Sequence, residues 1–231
     1  MTTKNDPVRT APQAILFDLD GTLLDTAPDL GFALNEVLKK YQLPIKTAEE
    51  YRPYASHGSM GLLQFGFGSS LERFDKHALR QEFLAIYETN VCVHTQLFPH
   101  VEETLARLVE KNVRLGIVTN KPTRYTDLVL AEFPALAAID VVVCGDTLPV
   151  SKPDPAPLRF AAEQLGLAPT QCLYVGDAER DITAGRRAQM KTVLATYGYL
   201  GEDDRPELWA ADYEIQCISE LIEWFSDPFH S

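Results

Sequence analysis

The sequence has 231 residues and a net charge of −12, with 45% hydrophobic and 23% charged residues. These proportions are ordinary for a globular protein, and the length allows one large domain or a domain with an insertion. The acidic balance argues against nucleic acid as a partner, because binding a phosphate backbone requires a basic surface.

The four cysteines are scattered along the chain and form neither a Cys-x-x-Cys pair nor a zinc-type spacing with histidine, which predicts reduced thiols. Residues 1–13 are polar and lack the apolar segment of a signal peptide. No apolar run is long enough to cross a bilayer. We therefore expect a cytoplasmic protein without a membrane partner, in which residues 1–13 form a polar tail.

A short apolar run, residues 14–17, predicts a strand that is buried on both faces of a parallel sheet. Asp18 and Asp20 follow this strand, and alternate side chains of an extended chain share a face. Gly21 then permits a sharp turn or a close approach to a ligand. Ligands of open α/β sheets bind at the carboxyl ends of the strands, so this stretch is the first candidate for a functional site.

The next stretch, residues 26–96, has a helical pattern and no convincing strand. Pro28 and Asp29 suit the first turn of a helix, and apolar residues at helical spacing follow them. Four glycines interrupt residues 47–70, which we interpret as a short helix with loops, before a further amphipathic helix. We expect two connections to the rest of the chain, near residues 25–28 and 96–99.

From residue 97 onwards, predicted strands alternate with predicted helices. Apolar runs predict strands at residues 113–118, 141–144, 172–175, 192–195 and 213–215, and a last helix at 219–225. This alternation is typical of a parallel sheet with right-handed crossovers. The predicted fold class is therefore α/β: a Rossmann-like parallel sheet core, residues 14–25 and 97–231, with a helical cap domain, residues 26–96, inserted after the first strand.

Polar residues follow the predicted strands at the edge where their carboxyl ends meet. Thr119 and Asn120 follow the second strand of the core, Lys152 lies in a Ser-Lys-Pro-Asp-Pro segment after the third, and Asp177 and Asp181 follow the fourth. Together with the two aspartates after the first strand, these residues bring four negative charges and one positive charge, that of the lysine, to this edge. Each like-charge pair costs roughly 4 kcal/mol at about 4 Å and an effective dielectric constant near 20.

Such a cluster of carboxylates either protonates or binds a cation. Oxygen ligands without histidine or cysteine favour Mg²⁺ or Ca²⁺, and Mg²⁺ suits this site better because it uses a few carboxylates together with a substrate phosphate. The candidate metal ligands are Asp18, Asp20, Asp177 and Asp181.

A phosphate dianion enters an acidic cleft only if a positive charge faces it, and Lys152 supplies that charge. Thr119 offers a hydroxyl, and the backbone N–H groups near Asn120 and Gly21 can hold phosphate oxygens. The predicted phosphate-binding residues are therefore Thr119, Asn120, Lys152 and Gly21.

Residues 17–25, Phe-Asp-Leu-Asp-Gly-Thr-Leu-Leu-Asp, resemble the first motif of the haloacid dehalogenase superfamily, most of whose members are magnesium-dependent phosphatases. Thr119 matches the second motif of that superfamily, Lys152 the third, and residues 176–181 the fourth. The helical insertion lies where the family has its C1-type cap domain. The resemblance extends from residue 14 to about residue 225.

The resemblance implies a two-step phosphoryl transfer in which Asp18 attacks phosphorus and Asp20 acts first as general acid and then as general base. It implies that Mg²⁺ is held by Asp18, by the backbone carbonyl of Asp20 and by Asp177, while Asp181 acts through a coordinated water or orients the site. The lysine and threonine of the middle motifs would stabilise the transferring phosphoryl group, and closure of the cap would exclude bulk water.

Within the superfamily, the chain most resembles the phosphoglycolate phosphatase group, and particularly bacterial members that act on N-acetylmuramic acid 6-phosphate. This closer resemblance rests on residues 119–122, 151–155 and 197–212. It implies a small phosphorylated metabolite as substrate, and we expect a monomer or homodimer. A phosphomutase, a dehalogenase of the same fold and a non-catalytic module are the alternatives.

Two histidines have open roles at this point. Related proteins usually have Pro-Gly-Val where the chain returns from the cap, whereas this chain has His100 in the place of the glycine. His100 is either an ordinary residue at the start of a helix or faces the cleft. His57 is either a substrate contact or a surface residue.

Overall fold

A six-stranded parallel sheet lies at the centre of the protein in a computed structural model that describes residues 11–225. The strands of residues 11–225 are β1 (Ala14–Phe17), β2 (Leu24–Asp25), β3 (Gln96–Leu97), β4 (Arg114–Val118), β5 (Val141–Val143), β6 (Cys172–Gly176), β7 (Lys191–Ala195) and β8 (Tyr213–Ile215). The order in the sheet is β5-β4-β1-β6-β7-β8, so β1 lies between the two strands that carry the later motifs.

Helices cover both faces of this sheet and fill the segment between β2 and β3. They are α1 (Ala27–Lys40), α2 (Ala48–Tyr51), α3 (Gly58–Phe67), α4 (Lys76–Thr89), α5 (Val101–Glu110), α6 (Thr123–Ala131), α7 (Ala156–Gln164), α8 (Glu179–Ala188), α9 (Pro206–Trp209) and α10 (Glu220–Glu223). Short 3₁₀ helices precede and follow α3, at Arg52–His57 and Gly68–Arg73.

Alternate residues of β1 contribute to two apolar clusters, one on each face of the sheet. Ile15 and Phe17 belong to a cluster that includes residues of α5 and of the segment between β2 and β3, and Leu16 belongs to a cluster with α7 and α8. All three side chains are fully buried. Burial on both faces is the reason that parallel strands appear in a sequence as continuous apolar runs, and the predicted α/β fold class is confirmed.

The segment between β2 and β3 is helical, as predicted, but its two connections form a structure that the sequence did not indicate. β2 and β3 pair antiparallel, with Leu24 opposite Leu97 and Asp25 opposite Gln96. The positions of the connections agree with the prediction. Neither strand was predicted, because a strand of two residues leaves no alternation to detect.

Other boundaries differ from the predictions by small amounts. Residues 47–70 contain α2, a 3₁₀ helix and α3 rather than one short helix with loops, the last helix is limited to Glu220–Glu223, and α9 was not predicted. Of the predicted polar tail, only residues 11–13 are described; residues 1–10, and residues 226–231 of the predicted core, lie outside the described residues. The division into a cap of residues 26–96 and a core stays a prediction.

Within the described range, no helix combines the length and the apolar character that a bilayer span requires.

Candidate active site

A buried lysine connects the carboxylates at the carboxyl edge of the sheet. Lys152 Nζ lies 2.9 Å from Asp18 Oδ1 and 2.8 Å from Asp181 Oδ1. It also donates to the carbonyl oxygen of Val118 and to the hydroxyl of Tyr174, each at 2.8 Å. The Lys152 side chain is 0% exposed, so its position is set entirely by these acceptors.

Three of the four predicted metal ligands converge. One carboxylate oxygen from each of Asp18, Asp177 and Asp181 lies within 4.8 Å of the other two, and all three residues are buried. Asp18 directly follows β1, Asp177 directly follows β6, and Asp181 lies in the first turn of α8. Three convergent buried carboxylates are a donor set that suits a hard divalent cation such as Mg²⁺.

The surroundings of Asp177 are shaped by a glycine and by a contact from the helical segment. A Cβ atom on Gly21, whose φ is +83°, would lie 2.2 Å from Asp177 Oδ2, so this position requires glycine. Asp177 Oδ2 accepts hydrogen bonds from the backbone N–H of Tyr199 at 3.0 Å and from Ser56 Oγ at 2.9 Å. Ser56 therefore brings residues 26–96 into direct contact with the carboxylate cluster.

The pKa values of the three carboxyl groups shift in different directions, because they differ in their neighbouring charges. Burial raises the pKa of Asp18 to about 6 against the opposing effect of Lys152, and burial with the neighbouring carboxylates raises the pKa of Asp177 to about 7. Burial acts in the same direction on Asp181, but Lys152 and Arg180 outweigh it and the pKa of Asp181 is lowered. A divalent cation would hold the first two carboxyl groups ionised.

Asp20 occupies a separate position beside this cluster. Its Oδ1 accepts hydrogen bonds from Thr26 Oγ1 at 2.5 Å and from Lys121 Nζ at 2.9 Å. Asp18 and Asp20 nevertheless line the same cavity, as their alternation along the chain predicted. The side chain of Asp20 is not a member of the group of three convergent carboxylates.

Thr119 and Asn120, at the end of β4, both line the cavity. The Asn120 side chain accepts a hydrogen bond from the backbone N–H of Lys152 at 3.0 Å and donates to its carbonyl oxygen at 2.9 Å. Asn120 therefore holds the segment that carries the lysine. Thr119 Oγ1 accepts from the backbone N–H of Lys121 at 3.1 Å, which places its hydroxyl at the start of the loop after β4.

The expected contribution of the Gly21 backbone differs from the one observed. We expected N–H groups near Gly21 to hold phosphate oxygens, and the N–H of Gly21 itself donates to the carbonyl oxygen of Leu24 at 2.9 Å. The turn after β1 uses this donor internally, and the importance of Gly21 is its close approach to Asp177 instead.

The cavity has a volume of about 420 Å³ and lies between the edge of the sheet and the helical segment. Acidic and polar groups at the ends of β1 and β4 line it from the sheet, and residues 55–60 and the helix α4 line it from the helical segment. His57 lines this cavity. His100 does not: it is exposed, has a φ of +67° and lies at the start of α5. Glycine adopts this left-handed conformation without strain, which accounts for the glycine that related proteins usually have at this position.

Sequence reasoning missed several residues of the site. Arg180 lies between the two aspartates of the fourth motif, and its Nη2 is 3.8 Å from Asp18 Oδ2. Lys121 directly follows the residues of the second motif. The position of Arg180 within the fourth motif and of Lys121 beside the second could therefore have identified both residues from the sequence. Ser56 carried no such signal, since its partner Asp177 is 121 residues away.

A family model described as haloacid dehalogenase-like hydrolase matches residues 15–195 of this chain. The chain is a haloacid dehalogenase-like hydrolase. The match includes every candidate site residue named above, from Asp18 to Asp181, and most of the sheet.

Named relatives of this haloacid dehalogenase-like hydrolase cover nearly all of its length. A phosphoglycolate phosphatase of Xanthomonas campestris pv. campestris (strain 8004) is 44% identical over 212 residues, which are 92% of this chain and 96% of the relative. An N-acetylmuramic acid 6-phosphate phosphatase of Pseudomonas aeruginosa is 37% identical over 211 residues, which are 91% of this chain and 93% of the relative.

A solved structure of similar shape comes from Haemophilus somnus 129PT and is described as a predicted phosphoglycolate phosphatase. It superposes on the hydrolase with a TM-score of 0.85 at 29% identity, and the superposition covers 95% of this chain and all of that one. Family and fold thus agree with the resemblance inferred from the four motifs.

Proposed function

We propose that this hydrolase is a magnesium-dependent phosphatase that cleaves small phosphate monoesters through a phosphorylated Asp18. The observation that carries the proposal is the buried ion pair between Asp18 and Lys152 beside two further carboxylates, at one wall of a cavity. Phosphoryl transfer needs a nucleophile, charge neutralisation and a proton donor in one place, and this edge of the sheet supplies all three.

In the first step, a carboxylate oxygen of Asp18 attacks phosphorus and the bond from phosphorus to the ester oxygen breaks. Asp20, which faces the same cavity, gives a proton to the departing alkoxide. In the second step, Asp20 takes a proton from a water molecule whose oxygen attacks the phosphorylated Asp18, which releases inorganic phosphate and restores the carboxylate. Thr26 and Lys121 both bind Oδ1 of Asp20, so Oδ2 is the oxygen available for proton transfer.

Asp18, Asp177 and the backbone carbonyl of Asp20 are the proposed ligands of Mg²⁺. Asp181 holds Lys152 through Oδ1 and accepts from the backbone N–H of Ala178 through Oδ2, so we assign it an orienting role. When bound, Mg²⁺ neutralises charge on the phosphoryl oxygens. Thr119 and Lys152 are the proposed contacts of the transferring phosphoryl group.

The similarity to phosphoglycolate phosphatases makes 2-phosphoglycolate our first candidate substrate. The second candidate is N-acetylmuramic acid 6-phosphate, the substrate in the name of the Pseudomonas relatives. The size of the cavity favours this second candidate, because about 420 Å³ accommodates a molecule much larger than glycolate. The compartment, the oligomeric state and the absence of nucleic acid and membrane partners stay predictions from composition.

The proposed function is tested by phosphate release from a panel of esters, first with Mg²⁺ and then with EDTA. The panel includes 2-phosphoglycolate, N-acetylmuramic acid 6-phosphate and several hexose phosphates. We expect Mg²⁺-dependent release by the wild type, loss of release in Asp18→Asn, and wild-type rates in Asp127→Asn, whose side chain is exposed on α6. Release that persists in Asp18→Asn, or that EDTA leaves unchanged, would contradict the assignment.

A further inference from the structure

One face of α4 forms a wall of the active-site cavity. Arg80, Phe83, Leu84 and Tyr87 all line it, and their spacing of three, four and seven residues places them on one side of the helix. This face presents a cation at one end, two apolar side chains in the middle and a phenol at the other end. The proposed mechanism uses none of the four.

Arg80 is distinguished from the other cations of the cavity by its lack of an acidic partner. Lys121 pairs with Asp20, and Arg180 lies beside Asp18. Within residues 11–225, no carboxylate lies within 4.0 Å of the Arg80 side-chain nitrogens. It is also the only cavity-lining residue of the described helical segment that carries a permanent charge.

The guanidinium of Arg80 is oriented by a neighbour on the same wall. Its Nε donates to Ser59 Oγ at 3.3 Å, and Ser59 also lines the cavity. Neither Nη atom has a hydrogen-bond partner in the described part of the chain. The two Nη groups are the fork with which arginine binds a carboxylate through paired hydrogen bonds.

Tyr87, at the other end of this face, carries an unpaired buried hydroxyl. The residue is 1% exposed, and its hydroxyl has no hydrogen-bond partner within 3.5 Å among the described residues. Burial raises the pKa of Tyr87, and the neighbouring ammonium of Lys121 acts in the opposite direction. Buried polar groups in folded proteins are nearly always paired, so an unpaired one in a cavity wall indicates a place for a ligand oxygen. The Lys121 Nζ lies 4.8 Å from the ring centroid and binds Asp20, which places Tyr87 at the catalytic end.

We infer that α4 recognises the leaving alcohol of the substrate, with Arg80 binding a carboxylate on it and the Tyr87 hydroxyl binding a second oxygen nearer the phosphate. This inference rests on the proposed phosphatase function. Seven residues of helix separate the two side chains by about 10 Å along the axis. The geometry therefore favours the phosphate ester of a sugar acid over that of a two-carbon acid.

The role of Arg80 is tested with two pairs of esters that differ in the carboxylate. One pair is 2-phosphoglycolate and ethyl phosphate; the other is N-acetylmuramic acid 6-phosphate and N-acetylglucosamine 6-phosphate, which lacks the lactyl carboxylate. In Arg80→Gln, we expect kcat/KM for N-acetylmuramic acid 6-phosphate, relative to that for N-acetylglucosamine 6-phosphate, to fall by about 10- to 100-fold, the loss expected for a charge-assisted hydrogen bond. The ratio within the two-carbon pair should change less. Arg73→Gln, exposed and outside the cavity, should preserve both ratios.

The role of Tyr87 is tested by Tyr87→Phe, which removes only the hydroxyl. We expect kcat/KM for the sugar phosphates to fall by about tenfold relative to ethyl phosphate, with no decrease in Tm, because the hydroxyl makes no hydrogen bond within 3.5 Å to a described residue. A decrease in Tm with unchanged kcat/KM would show a purely structural role and overturn this part of the inference.

The outcomes separate this inference from the function on which it rests. Mg²⁺-dependent phosphate release with the sugar-phosphate ratio unchanged in Arg80→Gln would overturn the inference and leave the phosphatase intact. A change in Tm of Arg80→Gln together with an equal loss on all four esters would assign Arg80 to the packing of α3 on α4. No release from any ester by the wild type would overturn the proposed function, and the inference with it.

Discussion

Lys152 is the residue on which the charge balance of the site depends. Its ammonium has two carboxylates, a carbonyl and a phenol hydroxyl within hydrogen-bond distance, and its side chain is inaccessible to solvent. Removing one member of a buried charge group is costly, because the remaining charges have no solvent to stabilise them. Lys152 therefore affects both the stability of the fold and the binding of phosphate.

The variant Lys152→Met should show both effects. We expect the free energy of unfolding to fall by about 3–5 kcal/mol, the range for breaking a buried ion pair. We also expect kcat to fall by about 100- to 1,000-fold, the loss typical of an oxyanion-stabilising donor. Urea denaturation and phosphate release at saturating Mg²⁺ measure the two quantities.

A matched control is available in an exposed ion pair. Lys191 lies 2.6 Å from Asp212, but its side chain is 59% exposed. Lys191→Met should cost at most about 1 kcal/mol and leave kcat unchanged, because solvent screens an exposed pair. Equal effects of the two substitutions would show that burial does not give Lys152 its importance.

At the level of elements, the first helix of the proposed cap begins on a side chain of the core. The N-cap residue of α1, Thr26, makes no capping hydrogen bond with its side chain. The hydroxyl of Tyr199 caps the helix instead, because it accepts hydrogen bonds from the backbone N–H groups of Thr26 at 2.7 Å and Ala27 at 3.0 Å. The backbone N–H of Tyr199 donates to Asp177. One residue thus connects the start of α1 to a proposed metal ligand.

The variant Tyr199→Phe should lower the free energy of unfolding by about 1–3 kcal/mol, because two buried N–H groups lose their acceptor. Tyr87→Phe is the matched control, since its buried hydroxyl has no partner in the described residues. Its free energy of unfolding should not decrease. The measurement is urea denaturation of both variants, and a larger loss for Tyr87→Phe would contradict the assigned role of Tyr199.

At the level of the whole molecule, metal binding is expected to depend on pH. The pKa of Asp18 is raised to about 6 and that of Asp177 to about 7, so both are partly protonated in the metal-free protein below pH 7. Mg²⁺ binds the ionised carboxylates and must displace these protons. The affinity for Mg²⁺ should therefore weaken as the pH falls below 7 and be nearly constant well above it.

Calorimetric titration with Mg²⁺ in two buffers of different ionisation enthalpy measures the protons released. We expect about one proton or more per Mg²⁺ at pH 6, almost none at pH 8.5, and an affinity that falls on the order of tenfold per pH unit for each proton displaced. Asp177→Asn should reduce the release at pH 6. An affinity that is the same at pH 5.5 and pH 8 would refute the expectation.

Local pattern was sufficient for the strands of the sheet and for the positions of the acidic residues. A strand buried on both faces must be apolar throughout, so β1 and β6 are visible as runs of apolar residues, and the polar residues that follow them mark the edge of the sheet. The pattern did not predict β2 and β3, because each has only two residues. It also did not predict the hydrogen-bond partner of the Gly21 N–H, which depends on the conformation of the turn after β1.

The sequence by itself therefore determined the fold class, the four motifs and the acidic edge of the sheet, because each depends on residues that are near one another in the chain. Only the tertiary structure decided which groups meet: Lys121 with Asp20, Ser56 with Asp177, and the face of α4 with the cavity. The physical reason is that these contacts join residues far apart in sequence, and their geometry is set by the packing of helices onto the sheet.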